Sequence, residues 1–83
     1  MKKYQVSRTL DVEVDYFIVK TENLVFDALE AGDMETFEVI NQRFQKLLEL
    51  EEDMHMGNNG VFTVSSKNYS LAVDCREAYR LLH

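Results

Sequence analysis

The sequence predicts a single α+β domain over residues 1–83, with elements in the order β-α-α-β-α, a long N-terminal strand and three helices. Three observations carry this. Apolar and polar residues alternate over the first quarter of the chain. From residue 21 onward apolar residues step by three and four in three separate segments, two of them long. The 83 residues are 46% hydrophobic and 29% charged, the composition of a small folded domain with one thin core.

The N-terminal strand comes first. Tyr4, Val6, Leu10, Val12, Val14, Tyr16 and Ile18 hold even positions, while Lys3, Gln5, Ser7, Thr9, Asp11, Glu13 and Asp15 hold odd ones. Period-two alternation places one class of side chain on each face of a half-buried strand. A strand over residues 4–19 would run for roughly 50 Å at ~3.3 Å per residue, too long for so small a domain to cover. The sequence therefore predicts a bulge, a bend, or pairing outside the monomer. A helix over residues 10–29 competes, because Leu10, Val14, Phe17, Thr21, Leu24 and Ala28 step by three and four. The abundance of β-branched and aromatic residues favours the strand.

Thr21 is the expected N-cap of the first helix, with Glu22 in its first turn and Leu24, Val25, Ala28 and Leu29 on its apolar face. Gly32 suits a left-handed C-terminal position. Asp33 then caps a longer helix, about 34–54, with the stripe Met34, Phe37, Ile40, Phe44, Leu47, Leu48 and Met54. Gly57-Asn58-Asn59-Gly60 makes a turn. Val61–Val64 reads as a short strand, and Ser65 or Ser66 caps a last helix over about 67–82. Its expected inner face is Tyr69, Ala72, Cys75 or Arg76, Tyr79 and Leu82.

Few residues point to chemistry. On a strand, Asp11, Glu13 and Asp15 would share one face at ~7 Å intervals, the arrangement a metal-dependent hydrolase would need. No histidine, lysine or glycine-rich phosphate cradle is placed to join them, and a solvated face is the simpler account. His55 at a helix end and the single Cys75 lack the partners a metal ligand or a nucleophile requires. The sequence thus predicts no catalytic residue, no metal site and no cofactor. No apolar run is long enough to span a membrane. Lys2, Lys3 and Tyr4 are not followed by the apolar stretch of a secretory signal, so a cytoplasmic protein is expected.

Charge is the most informative feature. The net charge is −6, which disfavours direct binding to a phosphate backbone. Residues 11–53 hold thirteen of the fifteen acids against three bases, Lys20, Arg43 and Lys46. Asp11, Glu13, Asp15, Glu35, Glu38, Glu49, Glu52 and Asp53 are the expected acidic surface. Such a surface attracts a protein partner with a basic face and imitates the charge of nucleic acid. A second patch, Phe17 and Val19 on the strand with Val39 and Leu50 on the long helix, is the expected homodimer interface.

In shortness, acidity and lack of a cofactor motif the whole chain resembles the small inhibitors encoded by phages and other mobile elements, including anti-restriction and anti-CRISPR proteins. No shared motif carries that resemblance. It implies a small viral-type interaction protein that inhibits or modulates another protein. An antitoxin or immunity protein neutralising a basic toxin or nuclease is the alternative, and the carboxylate-based hydrolase a third.

Overall fold

The structure is a computed structural model describing residues 2–83. Its order is β1 (Lys3–Gln5), α1 (Leu10–Ala31), α2 (Met34–Asp53), β2 (His55–Met56), β3 (Phe62–Ser65) and α3 (Ser66–Leu82). This is a small α+β fold in the expected order, with one added two-residue strand. The Cα atoms span 45 × 30 × 15 Å, so the molecule is a flat slab. One layer is the antiparallel hairpin of α1 and α2. The other is α3, with the sheet packed on α3 and on the end of α2.

The N-terminal strand is present but short. It ends at Gln5, and Leu10–Ala31 forms a helix of 22 residues. The competing 3.6-residue pattern wins because it supplies a continuous apolar face. Leu10, Val14, Ile18, Thr21, Val25 and Ala28 are all buried. Burial of such a stripe against a second helix outweighs an intrinsic strand preference worth at most ~1 kcal/mol per residue. Half of the apparent alternation then has another meaning: Val12 and Val19 point outward, 52% and 53% exposed. Thr21, expected as an N-cap, lies in mid-helix, and the N-cap position belongs to Thr9.

The turn between the long helices is as the sequence predicts. Gly32 adopts φ 71° at the end of α1, and its N–H donates to the Leu29 carbonyl at 3.1 Å. An L side chain rarely adopts this conformation, so glycine is favoured there. Asp33 caps α2: its carboxylate accepts from the Thr36 N–H at 3.2 Å and from the Thr36 hydroxyl at 2.6 Å. This ties the chain reversal to two adjacent residues.

β3 is the central strand, antiparallel to both neighbours, in the order β1-β3-β2. Tyr4 pairs with Val64, and Met56 with Phe62. The Gly57–Gly60 segment closes the β2–β3 hairpin through Gly57 N–H to Val61 carbonyl at 2.9 Å and Val61 N–H to the Asn59 side chain at 3.1 Å. The core sits where the hairpin, α3 and β3 meet. Leu10, Val14, Leu50 and Val64 are its largest fully buried side chains. Burying each contributes on the order of 1.5–3 kcal/mol.

Two expected faces are corrected in part. On α2 only Leu47 and Leu50 are buried; Phe37, Ile40, Phe44, Leu48 and Met54 are half-buried, and Met34 is exposed. On α3 the buried residues are Ala72 and Cys75, while Tyr69 and Leu82 are exposed. Both differences have one cause. The slab is two layers thick, so a side chain aimed away from the other layer stays partly in solvent.

Candidate functional site: the faces of the helical hairpin

The position of α3 divides the hairpin into two unlike faces. A cleft of about 370 Å³ between the layers is lined by Phe17, Lys20, Thr21 and Leu24 of α1, by Arg43 and Leu47 of α2, and by Leu71, Asp74, Cys75 and Ala78 of α3. A neighbouring depression brings Lys46 and Glu49 of α2 beside Lys67, Asn68, Leu71 and Asp74 of α3, with Lys67 Nζ 3.7 Å from Glu49 Oε2. All three bases of the hairpin therefore lie on the side that carries α3.

The opposite side follows from helix geometry. At ~100° per residue, Asp11, Asp15, Glu22 and Leu29 fall within about 40° of one another on the flank of α1 turned away from α3. On α2, Phe37, Asn41, Phe44 and Leu48 fall within about 60°, likewise away from α3. Those four are half-buried. This open face therefore has an apolar centre along the seam of the two helices. Phe26 and Met34, 59% and 54% exposed, extend it to the tip of the hairpin. Glu38, Gln45 and Glu52, spaced by seven, border it on α2 and are exposed. At its base the separation from α3 ends: Asp11, Asp15 and Glu51 line one shallow depression with Val12, Tyr16, Met54 and Tyr79 of α3.

The expected acidic residues thus separate into three groups. Glu35, Glu38 and Glu52 are exposed along the outer edge of α2, Glu49 is exposed beside Lys67 of α3, and Asp11 and Asp15 are exposed on α1. Glu13 is not on the surface: it is 4% exposed, and its Oε1 has no hydrogen-bond partner among the described residues. A helix turns it about 200° from Asp11, so the three carboxylates that a strand would align share no face. The hydrolase reading loses its geometry with them. Among the described residues no group of three or more His, Cys, Asp or Glu side chains is placed to hold a metal ion.

Asp53 is engaged inside the molecule. Its Oδ1 accepts from Lys3 Nζ at 2.8 Å, and its Oδ2 accepts from the Ser65 N–H at 2.8 Å, the Ser65 hydroxyl at 2.7 Å and Asn68 Nδ2 at 2.9 Å. The Lys3 ammonium, with the Asn68 and Ser65 donors, holds its carboxyl well below the usual carboxylate range, against the opposing effect of burial. Ser65 precedes α3, so Asp53 also places negative charge at that helix's N-terminus, where the dipole favours it. It is a structural clamp joining α2, β1 and α3.

The expected dimer patch does not form. Leu50 is fully buried and Phe17 packs against the core. Val19 and Val39 are exposed, but Val19 points outward from α1 whereas Val39, 69% exposed, falls about 40° from Arg43 on the α3 side of α2. The strand geometry that grouped them is absent. Cys75 is buried, and desolvation, with Asp74 and Glu13 nearby, pushes its thiol up to about 11. It is a protonated core residue at neutral pH, since only a thiolate is nucleophilic. His55 is exposed on β2, and His83 stacks on Tyr79 at 4.2 Å between ring centres.

The open face was missed in the sequence because its apolar residues belong to the expected core stripe of α2. One signal was available. Val12, Val19 and Phe26 recur at seven-residue spacing, and only a helix makes that a stripe, here on the outer side of α1. No helix among the described residues is long and apolar enough to cross a membrane. No protein-family model, curated protein or solved structure matches the chain.

Proposed function

We propose that this chain is a small non-enzymatic binding protein that presents the acids of its helical hairpin to a basic site on another protein, and so inhibits or modulates it. The observation that carries the reading is the segregation of charge. Glu35, Glu38 and Glu52 line the outer edge of α2, Asp11, Asp15 and Glu22 line the open side of α1, and Lys20, Arg43 and Lys46 are gathered on the side of α3, where Glu49 meets Lys67. A field of one sign on a rigid helical frame steers a basic partner and raises its association rate. The same field disfavours nucleic acid as a direct ligand. A phage-type inhibitor and a toxin-neutralising protein both work by this physics, so the reading covers both.

The test compares the parent with Glu35→Gln/Glu38→Gln/Glu49→Gln as immobilised bait in host lysate at low and high salt. The expected result is a protein retained by the parent at low salt, released at high salt and not retained by the triple variant. Equal retention by both baits at both salt concentrations would remove the acidic surface from the function.

A further inference from the structure

The open face of the hairpin has an occupant that its own chemistry selects. Its centre, on α2, is apolar and incompletely covered: Phe37, Phe44 and Leu48 are half-buried, while Leu29, 46% exposed, shares the α1 flank with Asp11, Asp15 and Glu22. Its borders are acidic on both helices, and the hairpin's bases all lie on the other side. We propose that this face docks an amphipathic helix of a partner protein, one with an apolar stripe flanked on both sides by lysine or arginine.

Three arguments converge on that occupant. Two antiparallel helices with an exposed seam form a groove that accepts a third helix by ridge-and-groove packing, the helix-in-groove mode of peptide recognition. The length fits: from Met34 to Glu51 the groove runs about 26 Å at ~1.5 Å per residue, matched by a helix of about 18 residues. Charge decides the composition. A second copy of this chain laid on the same face would set the acidic borders of one copy against those of the other, with no base on that face to relieve them. A basic-flanked helix would meet those carboxylates as ion pairs at the rim while its apolar stripe covers Phe44 and Leu48. Like-charge apposition is the kind of mismatch that excludes a partner.

The inference rests on the binding function proposed above and deepens it. Its test uses three synthetic helical peptides of about 18 residues: one with a leucine stripe and lysine flanks, one with the same stripe and glutamate flanks, and one with lysine flanks and a serine stripe. Amide chemical-shift mapping and titration are run on the parent, Met34→Asp and Val39→Asp, at low and physiological salt. The lysine-flanked leucine peptide is expected to bind 1:1 and to shift amides around Leu29, Phe37, Phe44 and Leu48. The other two are expected to bind at least tenfold more weakly, a difference of about 1.4 kcal/mol or more. Met34→Asp should lose at least tenfold, and Val39→Asp, on the other face, less than twofold. Shifts centred on α3, or equal loss in the two variants, would overturn the docking site while leaving salt-sensitive acidic binding intact. Equal binding of the lysine and glutamate peptides, insensitive to salt, would overturn both. A dimeric mass by light scattering, with the amides of Leu29 and Phe44 protected in the dimer, would assign the face to a second copy and overturn the proposal.

Discussion

Replacing Asp53 tests how the two layers are joined. Asp53→Ala removes the carboxylate that, among the described residues, accepts from both the Ser65 N–H and its hydroxyl, on a residue 6% exposed. Leaving buried donors unmet costs about 1–3 kcal/mol. The Lys3 pair, with side chains 36% and 18% exposed, adds about 0.5–1 kcal/mol after solvent screening. The lost charge at the start of α3 adds about 0.3–1 kcal/mol. The sum is about 2–5 kcal/mol, a large part of the ~4–12 kcal/mol expected for a chain of this size. At ~4–8 °C per kcal/mol for a small domain, Asp53→Ala should melt at least 8 °C below the parent at pH 7. The pH dependence has a fixed sign. The fold lowers this carboxyl below its ordinary 3.8, so its ionic contribution is complete above that value and is lost as pH falls toward the folded pKa. The gap between parent and Asp53→Asn, which keeps one acceptor oxygen, should therefore be widest near neutrality and narrow below about pH 3. Calorimetry of the three proteins at pH 7 and pH 2.5 reads both effects. An Asp53→Ala melting point within 2 °C of the parent, or an Asp53→Asn gap that does not change with pH, would refute the clamp.

Other substitutions separate core from surface. Leu50→Ala should cost about 2–5 kcal/mol by opening a cavity, whereas Val39→Ala should stay within about 0.5 kcal/mol; similar urea midpoints would mean the two residues share an environment after all. Glu13→Met should raise stability by about 1–2 kcal/mol, because it replaces a buried carboxylate lacking a partner with an apolar chain of similar length; a lower urea midpoint would show that Glu13 has a compensating interaction. Cys75 should resist a thiol reagent at pH 8 in the native protein and react promptly in denaturant, and fast native labelling would contradict its burial. Between about pH 9 and 11 the unfolded thiol ionises and the folded one does not, so stability should fall as pH rises through that window, an effect absent in Cys75→Ala.

Local chemistry was legible in the sequence wherever one or two residues decide the outcome. Gly32 and Asp33 mark the reversal between the long helices because left-handed backbone and a capping carboxylate have few substitutes. The Gly57–Gly60 turn and the Ser65 start of α3 are readable for the same reason. Residues 10–19 were misassigned because Leu10, Val14 and Ile18 satisfy both periods, even spacing and steps of four, and only the presence of α2 alongside decides between them. That single choice carried the surface errors with it. On a strand Glu13 aligns with Asp11 and Asp15; on a helix it turns toward α3 and Cys75. Asp53 was read as exposed because its partners Lys3, Ser65 and Asn68 lie 50, 12 and 15 residues away, and no periodicity reports such contacts. Glu35, Glu38, Glu49 and Glu52 are exposed because α2 runs where the sequence predicts it, although Glu49 faces Lys67 of α3.

The most direct measurement asks whether the location of the acids matters or only their number. Two variants carry the same change in charge: Asp15→Asn/Glu22→Gln/Glu38→Gln on the borders of the open face, and Asp27→Asn/Glu30→Gln/Glu77→Gln elsewhere on the exposed surface. Stopped-flow association of the lysine-flanked leucine peptide with each, at low and physiological salt, compares local with overall electrostatics. The account predicts that the border variant associates several-fold more slowly than the parent at low salt and that this difference shrinks at physiological ionic strength, where exposed charges are screened over about 8 Å. The control should stay close to the parent. Equal slowing in both variants would mean that net charge alone steers the partner, contradicting a binding function located on the face opposite α3.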